Sequence, residues 1–70
     1  MPDNNDKVVG ERIRRFRLDA NLTQDSLAEK AGVKSNTIAR LERGAHTASS
    51  PTLQKLAKAL NVKVSDILGD

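Results

Sequence analysis

The sequence predicts an all-α protein, a compact domain of five short helices. Three observations carry this expectation. Apolar residues recur at helical spacing, and no stretch alternates apolar with polar as a half-buried strand does. Asn, Gly and Ser-Pro signals break that pattern at short intervals. Seventy residues, 37% of them hydrophobic and drawn almost wholly from Leu, Ile, Val and Ala, suffice for one core and no second.

The elements follow in chain order. Residues 1–6, "MPDNND", are polar, contain a Pro and lack an apolar pattern, so they are expected to form a loose tail ahead of a domain over 7–70. Val9, Ile13, Phe16 and Ala20 fall at i, i+4, i+7 and i+11, one face of a first helix that Asn21 stops by turning left-handed. Thr23 caps a second helix, Asp25 in its first turn suits the helix dipole, and Gly32 ends it. Leu27, Ala28 and Ala31 form its inner face. The third helix spans about 35–43 and stops at Gly44. Ser50 followed by Pro51 reads as cap and first residue of a fourth helix, whose stripe is Leu53, Leu56, Ala57 and Leu60 and whose end is Asn61. A fifth helix over 64–68 turns Val64, Ile67 and Leu68 inward before Gly69. All four glycines read as helix stops or turn residues.

Composition narrows the function. No run of apolar residues approaches a membrane span or a signal-peptide core, so a soluble cytoplasmic protein without membrane contact is expected. Cysteine is absent, which removes disulfides, thiolate metal sites and thiol nucleophiles. His46 is the lone histidine, so no metal site is expected, and no cofactor or small-molecule ligand. No Ser, His and Asp set and no phosphate-cradling Gly loop has a plausible context, and the chain is not read as an enzyme. Twelve Lys and Arg against nine Asp and Glu leave a net charge of +3. Asp3, Asp6 and Asp70 lie near the chain ends, so the folded part is more basic than the total suggests. A basic module raises the question of nucleic acid. Phe16 is the sole aromatic ring, so stacking on single-stranded bases is poorly served and duplex DNA is favoured.

The second and third helices are joined by very few residues around Gly32 and Val33. Such a turn makes the helices cross steeply, with the small Ala28 at the crossing. Residues 24–43, "QDSLAEKAGVKSNTIARLER", thus have the layout of a DNA-binding helix-turn-helix. On a wheel of the third helix, Ile38 and Leu41 mark the buried side. Ser35, Asn36, Ala39, Arg40 and Arg43 share the opposite side. Taken alone, that stripe is an ordinary solvated face. Next to the turn, it is a face built to read a groove. Arg bonds two acceptors of guanine, Asn pairs with adenine, and Ser bonds a base edge or a phosphate.

The segments "LTQDSLAEKAGV", "TIARLERG" and "PTLQKLAKALNVKVSDILG" resemble the phage repressor and Cro type of helix-turn-helix protein, the XRE family, over nearly the whole chain. The resemblance implies a lambda-repressor-like domain of five helices that regulates transcription as a homodimer on a palindromic operator. It implies base contacts from Ser35, Asn36 and Arg40, with Lys34 a further candidate. It also implies a phosphate contact from Gln24 at the start of the second helix, where free N–H groups meet an anion. Arg43 and the loop residues His46 and Thr47 are candidates for the flanking backbone. Arg14 and Arg15 are expected on a solvated face. The family further pairs the positions of Arg17 and Glu42 in a structural ion pair. Lys34 departs from the pattern. It stands where Ser or Thr commonly caps the third helix, and a Lys accepts no bond from the helix amides. Either Ser35 caps that helix, or Lys34 has a contact role. The rival to a DNA-binding regulator is a protein-interaction module, antitoxin-like, that keeps the fold without reading DNA. The basic rim of Lys34, Arg40 and Arg43 is the feature such a module has little need of.

Overall fold

The protein is described from a computed structural model covering residues 4–69. The described residues form five helices and no strand: α1 (Asn4–Asp19), α2 (Gln24–Ala31), α3 (Ser35–Glu42), α4 (Ser50–Leu60) and α5 (Val64–Leu68). Each contributes at least one fully buried large side chain to a single core: Ile13, Leu27, Ile38 with Leu41, Leu56 and Ile67. Burying each such side chain stabilises the fold by about 1.5–3 kcal/mol. Half-buried Val9, Phe16, Leu22 and Val33 close over that centre. Helix α1 packs against α3 and α5, while α2 packs against both α3 and α4.

The ends of the first four helices share one device. The chain turns left-handed at Asn21, Gly32, Gly44 and Asn61. The next N–H then reaches back five residues, Leu22 to Arg17, Val33 to Ala28, Ala45 to Arg40 and Val62 to Ala57, at 2.9–3.1 Å. These bonds satisfy carbonyls that a helix end leaves free. At the start of α2, Thr23 Oγ1 accepts from the Ser26 N–H at 3.0 Å, and Ser26 Oγ accepts from the Thr23 N–H at 2.8 Å. This reciprocal box fixes where α2 begins.

Several expectations change. Helix α1 starts at Asn4, so 4–6 are helical, with Asp6 in the first turn where the helix dipole favours it. Residues 1–3 of the expected tail, and Asp70, lie outside the described residues. Ala20 is exposed, because α1 ends one residue earlier and Asn21 turns the chain away. Ser49, not Ser50, caps α4: its Oγ accepts from the Thr52 N–H at 3.3 Å, and Pro51 sits one position further into the helix. Leu68 is 41% exposed. Neighbours in a helix point 100° apart, so Ile67 takes the core site and Leu68 cannot share it. Gly10 is neither a stop nor a turn. It is buried within α1 where that helix crosses α3. A Cβ there would collide with the Leu41 carbonyl and stand 3.1 Å from the Glu42 carbonyl oxygen. A helix-interior Gly costs about 1 kcal/mol relative to Ala, and here the close approach of two backbones offsets it.

Candidate nucleic-acid interface

The candidate surface is built outward from two anchors. Ile38 and Leu41 are buried beneath α3, which leaves the other side of that helix free. Asn36, Arg40 and Arg43 are exposed, and Ser35 and Ala39 are half-buried beside them. None of these side chains has a hydrogen bond or ion pair with another described residue. Lys34 is the cap residue of α3 and is exposed, and its side chain makes no cap bond. Ser35 is the first helical residue, so it does not replace Lys34 as cap. The Thr37 N–H donates to the Lys34 carbonyl at 3.0 Å, and no side chain caps the start of α3.

Behind this face lies a polar cluster around Glu42. Arg17 from α1 donates to Glu42 Oε2 through Nε at 2.6 Å and to Oε1 through Nη2 at 3.0 Å. Its Nη1 donates to the Leu22 carbonyl at 2.9 Å. The two side chains are 10% and 4% exposed, so the pair is largely out of water. The hydrogen bond to Glu42 raises the Arg17 guanidinium above its ordinary pKa; burial opposes this, and the Glu42 charge adds to it. The sign follows from linkage. A raised group lends its stability at every lower pH and loses it only as pH climbs through the folded value, here at strongly alkaline pH.

Gln24 joins the same cluster, its Nε2 donating to Glu42 Oε1 at 3.2 Å. The side chain of the first residue of α2 is thus oriented by the last residue of α3. The two are eighteen positions apart, and local patterning carried no signal for the contact. Of the other backbone candidates, Arg43 and His46 are exposed at the end of α3 and in the loop after it. Thr47 is exposed, but its Oγ1 donates to Asp6 Oδ2 at 2.9 Å, so the loop is tied to the first turn of α1. Arg14 and Arg15 lie exposed on α1. The described residues contain no group of three or more His, Asp or Glu placed to hold a metal ion. No described helix is long and apolar enough to cross a membrane.

A capped second helix, a left-handed glycine turn and a third helix with two buried anchors and a free polar face define the helix-turn-helix class. The family profile described as helix-turn-helix, HTH_3, matches residues 13–67, and the chain belongs to this family of DNA-binding transcription regulators, of which XRE proteins are part. The family is one of regulators and not of enzymes.

The chain is 42% identical over 63 residues to the immunity repressor protein of Bacillus phage phi105, a match that covers 90% of this chain and 44% of the repressor. The chain thus spans less than half the length of that relative. It is 32% identical over 69 residues to control protein C.BamHI of Bacillus amyloliquefaciens, covering 97% of this chain and 85% of that protein. Among solved structures, the restriction-modification controller protein C.AhdI from Aeromonas hydrophila superposes with a TM-score of 0.90 at 28% identity, over 93% of this chain and 98% of that one.

Proposed function

We propose that this regulator binds a palindromic operator in the cytoplasm as a homodimer and represses transcription by occupying it. In this reading α3 enters the major groove. Ser35, Asn36 and Arg40 contact base edges, with Lys34 at the mouth of the groove. Gln24, Arg43, His46 and Thr47 contact the flanking phosphates.

One observation carries the proposal. The outer face of α3 holds Asn36 and Arg40, side-chain types able to bond base edges, with no partner among the described residues, on a helix whose other face is anchored in the core. The bond from Gln24 to Glu42 adds support, because it orients a donor beside the free amides at the start of α2. The likeness to the phi105 immunity repressor and to two control proteins points to the same kind of work.

The test is selection of bound sequences from random duplexes. The expected product is a two-fold symmetric site whose half-sites lie about 34 Å apart, one helical turn. A single asymmetric half-site would remove the dimer from the proposal. Absence of any binding to mixed duplex at low salt, where phosphate contacts are strongest, would favour the protein-interaction module instead.

A further inference from the structure

We propose that the groove between α2 and α4 is a docking site for an acidic segment of a partner protein. The groove is lined by Lys30 and Ala31 at the end of α2, and by Lys55, Lys58 and Ala59 of α4. Three lysines and two alanines thus line one groove. All three lysines are exposed, and none has an ion pair or hydrogen bond with another described residue. Lys55, Lys58 and Ala59 fall at i, i+3 and i+4, so one face of α4 presents them together.

Three features select the occupant. Lys30 and Ala31 stand at the C-terminal end of α2, the end opposite Gln24, which the proposed function sets against phosphate. In that reading the duplex meets the start of α2 and leaves the groove open. The lysines also come from two helices, Lys30 from the last turn of α2 and Lys55 and Lys58 from α4. Positive charge supplied from several places along a groove suits several separated carboxylates better than one compact dianion. No aromatic ring or Arg lines the groove to stack a nucleotide base. Lysines on flexible stems suit carboxylates spaced along an extended chain, and alanines let a backbone lie close. An acidic polypeptide satisfies all three conditions. The choice of a polypeptide over DNA rests on the proposed function, whereas the peptide titration reads the groove directly and can fail or succeed apart from it.

The experiment titrates the isotope-labelled protein with a synthetic peptide of alternating acidic and apolar residues, alongside its Gln and Asn counterpart. Amide shifts are expected to concentrate at Lys30, Ala31, Lys55, Lys58 and Ala59, with affinity that falls as salt rises and no response to the neutral peptide. The triple variant Lys30→Gln/Lys55→Gln/Lys58→Gln should weaken binding by about tenfold or more while keeping its unfolding midpoint and its affinity for duplex DNA. The single variant Lys58→Glu provides a second reading should the triple one fold poorly. Arg14→Gln/Arg15→Gln, which removes exposed charge elsewhere, should leave peptide binding unchanged. The proposal is overturned by shifts spread evenly over α1 and α3, or by a triple variant that binds the peptide normally. It is equally overturned if that variant loses duplex affinity with a salt slope smaller by about three, which places the groove on DNA. Inorganic phosphate perturbing the same residues as strongly as the peptide would also overturn it.

Discussion

Replacing Glu42 by Ala tests how the first three helices are held together. The carboxylate accepts two bonds from Arg17 and one from Gln24, at 2.6, 3.0 and 3.2 Å. Its removal strands a guanidinium that is only 10% exposed and keeps just the Leu22 carbonyl as partner. Breaking a buried pair on one side costs about 3–5 kcal/mol. A domain of this length has a total stability of about 3.5–10 kcal/mol, so the variant loses a third or more of it. At about 4 °C or more per kcal/mol for a domain this small, the thermal midpoint should fall by at least about 12 °C. The assay is thermal and urea unfolding of Glu42→Ala, Arg17→Met and the double variant. The double variant should recover much of the loss, because neither charge is then left alone in the core. An unchanged midpoint for Glu42→Ala, or strictly additive losses in the double variant, would refute the reasoning.

Other substitutions separate reading from packing. Arg40→Ala should lower specific duplex affinity by about 1–3 kcal/mol and relax preference at one base pair, and a titration against single-base variants of the selected site checks this. Gly10→Ala should destabilise by about 1–3 kcal/mol through overpacking, despite the better helix propensity of Ala; a raised urea midpoint would show that α1 and α3 can part without cost. Lys34→Ser supplies the missing cap and should stabilise the fold by about 0.5–2 kcal/mol. If Lys34 also touches DNA, the same variant will bind its site more weakly while melting later, so melting and binding are measured together.

Much of the architecture was legible in the chain. The helical spacing of Ile13 and Phe16, of Leu53, Leu56 and Leu60, and the punctuation at Asn21, Thr23, Gly32 and Asn61 are local signals, and local hydrogen bonds honour them. The errors fell where two local signals competed or where one residue decided a boundary. Ser49 and Ser50 offer the same hydroxyl one position apart. Ile67 and Leu68 are equally apolar, and only the space beneath α5 chooses between them. The interior Gly10 marks a close approach of two backbones. It names no partner, and Leu41 lies thirty-one positions away, a separation the crossing of α1 and α3 closes.

Five amphipathic helices, a tight turn between the second and third, and the residue types on the outer face of α3 are already written in the order of the amino acids. Those are properties of spacing and stereochemistry within a few residues. It takes the packed fold to hold Gln24 on Glu42, to tie Thr47 to Asp6, and to set Lys30 along one groove with Lys55 and Lys58. These contacts join residues far apart in the chain. Their geometry depends on how the helices cross, and that follows from packing one shared core.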